Sequence, residues 1–502
     1  MSRHTCSSRQ PCCAAGCCSL FGRREFLAGL GLMGGSALAM NWFGSAVSQA
    51  LGAAPKPGPG GKPRVCVAFS RGRDEYYMGW PGAAFDHKAS QALYTETLQK
   101  AAARLGVELD VQGEPLRDTN AAGAFLEKTT EAKADGVLLV VMNLNDGWPM
   151  IHHFVKHREQ PANLPTVVFA PQGTQFTPTL QAFREMPHVF VGATQDVEWL
   201  ATGLRMLKTI WQMASTRVAV VHGNEEREQP LAPLGTVLHH VPLERFAEAY
   251  DATAGAAEAK DLAAAFRKHA KDCVEPDETE ILEAARTYVA NRRLMEAAGC
   301  QAVTMDCLGL IGRRRTPPPC MAYMQLLNEG TCGACERDIT AMLSLLLSSY
   351  LLDRPAFLHN PSPNTVRNTY VGAHCTAPTK MDGFDQPDSE YVLRSHHESD
   401  WGVAPQVLLR EGQEVTMMKF LNPGELMACT GTLLGNIHTQ PDDGVGGCRT
   451  AFEMAVDDVA DTRDIRGHHN VLIYGKHLPM LDAYCQLAGL GISHIAGGPV
   501  RR

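Results

Sequence analysis

The sequence predicts an α/β protein: a doubly wound sheet, a second α/β region, and a smaller C-terminal β-rich domain that is antiparallel or barrel-like. Two observations predict this class. Up to about Pro355, short apolar runs alternate with segments of helical period, which is the pattern of βαβ units. After Pro355, short alternating segments are joined by Gly, Pro and Asn turns, which is typical of antiparallel strands.

Length and composition limit the possible functions. The 502 residues are 45% hydrophobic and 20% charged, which excludes a mostly disordered chain and allows about three domains. With 46 basic and 54 acidic residues, the chain lacks the basic balance of a nucleic-acid-binding protein. No uncharged apolar run of about 18 residues follows position 54, so we expect no membrane span in the mature chain. A large soluble enzyme fits these properties.

The first 54 residues indicate an export signal and linker rather than part of the fold. Arg23-Arg24-Glu25-Phe26-Leu27 precedes an uncharged Gly- and Ala-rich stretch over 28–40. This segment resembles a twin-arginine signal, and the alternative is an ordinary amphipathic N-terminal helix. We therefore expect export to the periplasm or another extracytoplasmic space. Five of the 16 cysteines precede the arginine pair, and the spacing of the other 11 predicts no disulfide framework.

The first α/β region is predicted over residues 55–192. Its strands are expected at 64–70, 107–111, 136–142, 165–170 and 188–192, with helices at about 88–105 and 121–132. The run 136–142 is apolar throughout, as in a central parallel strand that is buried on both faces. Ligand-binding loops are expected after the strands, at 70–73 and 142–145.

The second α/β region is predicted over 193–355 and the β-rich domain over 356–502. The second region is expected to contain helices at 197–213, within 243–291 and at 334–352, and strands at 217–221 and 302–305. Strands of the β-rich domain are expected at 365–370, 390–394, 406–410, 415–420, 425–434 and 448–456.

The first group of residues that could carry chemistry lies at 328–338. Glu336 is expected at the start of an apolar helix, where the helix N-terminus stabilises a carboxylate. It is either a capping acid or a metal-ligating carboxylate that faces a cleft. Cys332 and Cys335 form a lone Cys-x-x-Cys, which is weak evidence for zinc or redox chemistry because no second pair matches it.

Two further groups place histidines at the ends of expected strands. Asn360 and His374 end successive strand-like stretches, which would direct them to the same side of a sheet. Adjacent residues of a strand face opposite ways, so at most one of His468 and His469 is expected at a single site. Each histidine is either structural or a ligand. Imidazole together with carboxylate suits Mn²⁺, Fe²⁺, Co²⁺ or Zn²⁺.

In this order, the groups resemble the L-fucose/L-arabinose isomerase superfamily over roughly residues 64–495. The most specific segments are Gly-Ala-Cys-Glu-Arg-Asp at 333–338, Val-Gly-Ala-His-Cys at 371–375 and His-His-Asn-Val-Leu-Ile-Tyr-Gly at 468–475. The resemblance implies two Rossmann-like domains followed by the β-rich domain, in a homo-oligomer with active sites at subunit boundaries. It also implies a divalent metal, expected to be Mn²⁺, and a small-molecule sugar as substrate.

The resemblance assigns roles to individual residues. Glu336 would be both metal ligand and proton-transferring base, His469 a metal ligand, and His374 a ligand or substrate-binding group. Asn360 stands where the isomerases carry a second acid, and an amide is a weaker ligand that cannot act as a base near neutral pH. Either isomerisation has been lost, or another acid supplies the base; the candidates are Glu329, Asp338 and Asp306.

Substrate contacts are expected from Asn360 and the neighbouring His359. Tyr76 and Trp80 resemble a sugar-stacking element, although such aromatic residues also serve in packing. We thus predict a metal-dependent isomerase that interconverts an aldose and a ketose through an enediolate. The alternative is a non-catalytic, exported carbohydrate-binding protein on the same scaffold. A third hypothesis, thiol redox chemistry, requires an exposed cysteine of low pKa.

Overall fold

The first region of the chain forms a five-stranded parallel sheet. The structure, a computed structural model, describes residues 60–74, 85–158, 163–437 and 447–495. The strands are β1 (Arg64–Ser70), β2 (Glu108–Val111), β3 (Gly136–Val141), β4 (Thr166–Ala170) and β5 (Val189–Ala193), in the order β2-β1-β3-β4-β5. The helices are α1 (His87–Leu105), α2 (Thr119–Glu131), α3 (Trp148–His157) and α4 (Thr177–Gln181). Every side chain of β3 and β4 is buried, because separate apolar clusters cover the two faces of the sheet.

A second sheet contains four parallel strands and one antiparallel edge strand. Its strands are β6 (Arg217–Val221), β7 (Arg227–Pro230), β8 (Val237–Val241), β10 (Ala302–Met305) and β11 (Cys332–Ala334), in the order β11-β10-β6-β8-β7. Its helices are α5 (Trp199–Ser215), α6 (Leu243–Asp251), α7 (Ala257–His269), α8 (Glu278–Ala298), α9 (Cys307–Gly312) and α10 (Cys320–Asn328). The chain passes from β8 to the other side of β6, so the carboxyl ends of β6 and β10 form a topological switch point. Such a point is the usual ligand position in an open α/β sheet.

The C-terminal part forms a closed, antiparallel barrel of six strands. These are β12 (Phe357–Asn364), β13 (Thr369–His374), β16 (Glu414–Asn422), β17 (Glu425–Asn436), β18 (Thr450–Val456) and β19 (Asn470–Tyr474), in the order β16-β19-β12-β13-β18-β17. Pairing of β17 with β16 closes the barrel. A last strand, β20 (Gly491–His494), lies parallel to β17. A small separate sheet has the order β15-β14-β9, with β9 (Asp272–Cys273), β14 (Tyr391–Ser395) and β15 (Val403–Val407).

One buried helix joins the sheets to the barrel. Helix α11 (Ile339–Leu347) is followed by a π-helical turn at Ser348–Leu352. Its leucines belong to an apolar core that extends from Leu138 in the first sheet to Phe420 in the barrel. Helix α12 (Leu478–Ala488) contributes to the same core. All described residues belong to one compact unit, which runs from Ala54 to Arg502.

The structure confirms the predicted α/β class at the level of parallel sheets combined with a β-barrel. Three strands have the predicted bounds, at 64–70, 217–221 and 302–305. The prediction of a helix from 334 to 352 is wrong at its start, because Cys332–Ala334 pairs with β10 and the helix begins at Ile339. In the described part of the chain, no helix is long and apolar enough to cross a bilayer. The arginine pair of the expected export signal lies outside the described residues.

Candidate functional site

A strained turn between β11 and α11 carries the acidic residues of the site. Glu336 and Arg337 both have φ of 57°, in the left-handed region that non-glycine residues rarely adopt. Asp338 is the N-cap of α11, and its Oδ1 accepts hydrogen bonds from Ala341 N (2.8 Å) and Thr340 Oγ1 (2.8 Å). Glu336 therefore lies before the helix, not in its first turn as expected from the sequence.

The turn places Glu336 against two histidines from the barrel. His374 ends β13 and His469 immediately precedes β19. Glu336 Oε1 lies 3.3 Å from His374 Nε2, and Glu336 Oε2 lies 3.4 Å from His469 Nε2. The two histidine side chains are only 6% and 2% exposed, whereas Glu336 is 28% exposed. His374 and His469 thus both contact the carboxylate of Glu336, and these are the three residues that were selected as metal ligands from the sequence.

Register explains why these histidines are neighbours. Strand β12 lies between β19 and β13, with His359 opposite Asn470 and Asn360 opposite Ala373. The residues that flank these pairs, His469 and His374, consequently lie at the same end of three adjacent strands. The strand order of the barrel, rather than any local motif, brings together positions that are far apart in the sequence.

Asp338 and Lys419 form a buried ionic support behind His469. Asp338 Oδ2 accepts hydrogen bonds from His469 Nδ1 (2.9 Å) and Lys419 Nζ (2.8 Å). Burial opposes ionisation of Asp338, but these two partners outweigh it and hold the pKa of Asp338 well below its usual range. Because both Asp338 oxygens are occupied, the carboxylate orients His469 and has no free lone pair directed at a substrate proton. Sequence reasoning missed Lys419, whose only signal is a single basic residue within the apolar stretch of strand β16.

The charge distribution keeps Glu336 available as a ligand. The imidazoles of His374 and then His469, which lie 3.3 and 3.4 Å from its oxygens, hold the pKa of Glu336 well below its usual range, although burial acts in the opposite direction. Burial alone would lower the pKa of His469, but the neighbouring carboxylates of Asp338 and Glu336 raise it. An ionised carboxylate thus faces two imidazoles, and Asp338 fixes the orientation of His469 from behind.

His468 joins the site, contrary to the expectation that only one of the adjacent histidines could. His469 has φ of 50°, and strand β19 begins only at Asn470, so the strand alternation does not apply. The rings of His468 and His469 lie 4.1 Å apart. Ligand atoms of Glu336, His468 and His469 all lie within 4.8 Å of one another.

The expected substrate-binding residues differ in their placement. Asn360 follows His359 on β12, and its buried Oδ1 has no hydrogen-bond partner. His359 is fully buried, with Nδ1 bonded to Phe357 O (3.0 Å) and Nε2 to Tyr370 Oη (2.9 Å), so neither ring nitrogen is available to a substrate. Tyr76 and Trp80 lie outside the described residues.

The other candidate acids form hydrogen bonds that stabilise the fold, and the candidate thiols are buried. Glu329 is partly buried and accepts hydrogen bonds from Tyr288, Gln325 and Arg292. Asp306 caps α9 through Gly309 N (3.1 Å). All 11 described cysteines are free. Burial raises the pKa of Cys332 to about 12 and also raises the pKa of Cys335, which does not fit the exposed thiolate that redox chemistry requires.

The donor set fits a divalent transition metal. Nε2 of His374 and Nε2 of His469 are buried without a hydrogen-bond partner, and Asp338 occupies the opposite nitrogen of His469. This carboxylate–histidine arrangement directs the lone pair of Nε2 toward a metal. Metal–ligand bonds of about 2.0–2.2 Å place neighbouring ligand atoms about 3.0–3.5 Å apart, and the Glu336 contacts of 3.3 and 3.4 Å agree with that spacing.

Comparisons with known proteins do not identify the chain. It matches no protein-family model and no curated protein. Two solved structures, the XylFII molecule and a mutant XylFII–LytSN complex, align with 55% of this chain and 96% of theirs. Their sequence identities are 10% and 11%, with TM-scores of 0.17 and 0.16, and at these TM-scores the alignments carry no argument. The site is therefore described by its own donors, as a cluster of one carboxylate and several imidazoles that could hold a metal ion.

Proposed function

We propose that this protein is a metal-dependent, sugar isomerase-like enzyme that interconverts an aldose and a ketose. The observation that carries the proposal is the meeting of Glu336, His374 and His469 around one carboxylate, with unpartnered ring nitrogens directed at it. A divalent ion held there would polarise a sugar carbonyl and stabilise the negative charge that develops on neighbouring oxygens. We propose Mn²⁺ as that ion.

The chain's own residues supply the positioning and the proton transfer. Asp338 holds His469 in one tautomer, and Lys419 compensates the negative charge of Asp338. The carboxylate of Glu336 would accept the proton from one carbon of the sugar and return it to the next carbon. Asp338 would not share this role, because four hydrogen bonds occupy its oxygens. Glu329 and Asp306 are held in other networks.

Asn360 supports a second candidate, a non-catalytic carbohydrate-binding protein. Its buried Oδ1 lacks a partner, and an unsatisfied buried acceptor is stabilised when a ligand hydroxyl donates to it. An amide at this position can bind a sugar hydroxyl but cannot move a proton. Binding without turnover is the outcome that this residue favours.

The organisation of the chain forms part of the proposal. We propose two Rossmann-like domains at 55–192 and 193–355, followed by the barrel domain at 356–502. We also propose export by the twin-arginine pathway, on the basis of the Arg23-Arg24 motif. Assembly as a homo-oligomer follows from the same resemblance to the fucose and arabinose isomerases.

Metal binding and proton exchange test the proposal together. We expect Mn²⁺ titration to show one site per chain, with an affinity about 10-fold or more weaker in Glu336→Gln, as for loss of a charged ligand. Glu114→Gln, at an exposed position outside the site, is the matched control. In D₂O, a panel of aldoses should incorporate deuterium at C2 with the wild-type protein and not with Glu336→Gln.

Each result has a separate meaning. Metal binding and sugar binding without deuterium incorporation would favour the binding protein over the isomerase. Equal Mn²⁺ affinity in the wild type and Glu336→Gln would refute the metal centre itself.

A further inference from the structure

A guanidinium group spans the switch point of the second sheet, next to the metal-binding turn. Arg337 directly follows Glu336, and its backbone N–H donates to Met305 O (2.9 Å) at the end of β10. Its side chain extends to the end of β6, where Arg337 Nη1 lies 3.1 Å from His222 Nδ1. The side chain therefore lies across the carboxyl ends of β10 and β6, the position where open α/β sheets bind ligands.

A chain of hydrogen bonds orients this guanidinium. Arginine can only donate, so His222 Nδ1 must accept, and its proton resides on Nε2. His222 Nε2 then donates to His240 Nδ1 (2.7 Å), and His240 Nε2 donates to Gln229 Oε1 (3.2 Å). Burial and the charge of Arg227 lower the pKa of His240 to about 4. Neutral imidazoles thus fix the direction of Arg337 without neutralising its charge.

The charge of Arg337 has no acidic partner among the residues that the structure describes. The side chain is exposed, and no carboxylate forms an ion pair with it. Asp306, at the same strand ends, accepts from the backbone of α9, and Asp338 is bonded to His469 and Lys419. Two consecutive left-handed residues at this turn are strained, as is characteristic of functional segments.

We propose that Arg337 binds a carboxylate group of the substrate, so that the site acts on a sugar acid rather than on a neutral sugar. The inference rests on the proposed function for the identity of the adjacent site. The planar guanidinium matches a carboxylate through two parallel hydrogen bonds. Lys419, the cation bonded to the next residue of this turn, is buried and paired with Asp338. A single available guanidinium matches a monoanionic carboxylate better than a dianionic phosphate.

Calorimetric titration with matched ligands tests the inference. The purified full chain is titrated with D-glucuronate, D-glucose and D-glucose 6-phosphate, and with D-galacturonate and D-galactose as a second pair, each with and without Mn²⁺. We expect each uronate to bind about 10- to 100-fold more tightly than its neutral sugar, as for a charge-assisted hydrogen-bonded pair. Arg337→Gln should remove this preference, and Arg337→Lys should retain only part of it.

Controls and contrary outcomes are separate for the two proposals. Arg104→Gln removes an exposed charge from α1 and should leave the preference unchanged, and circular dichroism verifies the folding of each variant. The inference is overturned by equal affinities for the uronate and its neutral sugar, or by no binding of any ligand. It is also overturned by an unchanged preference in Arg337→Gln, or by tighter binding of D-glucose 6-phosphate than of D-glucuronate. A preference for uronates that depends on Arg337, without Mn²⁺ binding, would refute the proposed metal enzyme and leave this inference intact. Mn²⁺ binding without that preference would refute this inference and leave the proposed metal enzyme intact.

Discussion

Replacement of Asp338 by asparagine separates the support of the metal site from its ligands. Asp338 Oδ1 caps α11, and an asparagine oxygen can keep the bonds to Ala341 and Thr340. The amide NH₂ would then replace Oδ2, where it meets two other donors, Lys419 Nζ and His469 Nδ1–H. His469 can accept from the amide only in its other tautomer, which places a proton on Nε2 and removes the lone pair that would bind a metal.

Two magnitudes follow from this geometry. Metal affinity in Asp338→Asn should fall about 10- to 100-fold, the usual cost of losing a residue that orients a ligand. The side chain of Lys419 is only 4% exposed, so loss of its counter-charge should also lower the free energy of unfolding by about 3–5 kcal/mol. Mn²⁺ titration measures the first effect, and urea unfolding with EDTA present measures the second.

A double variant distinguishes the two effects. Lys419→Met in the Asp338→Asn background removes the unpaired buried charge and should recover most of the lost stability, while the metal affinity stays low. Asp338→Asn with wild-type Mn²⁺ affinity, or a double variant no more stable than the single one, would refute the reasoning.

Three further predictions concern stability. Burial lowers the pKa of His359 from 6.5 to about 3, so the unfolded state binds more protons below pH 6.5. The folded protein should therefore lose stability as pH falls toward 3, by up to about 1.4 kcal/mol per pH unit. Urea unfolding of His359→Gln should show a shallower dependence of the free energy of unfolding on pH, and equal slopes in the two proteins would contradict this. Glu329→Gln weakens its partly buried bond to Arg292 and should lower the free energy of unfolding by about 1.5–3 kcal/mol. The Mn²⁺ affinity should be unchanged, and a lost affinity would place Glu329 at the site after all. A methyl group at Gly372 would lie 2.4 Å from Phe452 Cζ. Gly372→Ala should therefore destabilise the barrel by about 1–3 kcal/mol or more. An unchanged thermal midpoint would show that the ring of Phe452 can move aside.

The local hydrophobic pattern was sufficient to predict several buried strands. The strand at Arg64–Ser70 and the strand at Arg217–Val221 were predicted with their observed bounds, because short β-branched runs between helical segments have few alternative structures. The residues Glu336, His374 and His469 were also selected from the sequence, through the resemblance to known isomerases.

Other features depended on contacts between distant residues. The turn at Glu336 and Arg337 was predicted as helix, because the helical pattern of the following leucines continues backward in the sequence. In the structure, pairing of Cys332–Ala334 with β10 prevents the helix from starting there. The bond between Asp338 and Lys419 could not be predicted from the sequence for a similar reason, because it depends on the position of strand β16 beside β19 in the barrel.

Sequence alone therefore indicated which chemical groups this protein can bring to a site: a carboxylate and several imidazoles. Tertiary structure decided which of their atoms face one another, which are occupied by supporting bonds, and which remain available. The physical reason is that hydrophobic periodicity is a local property, whereas barrel register and strand order set the distances between side chains that are about a hundred residues apart.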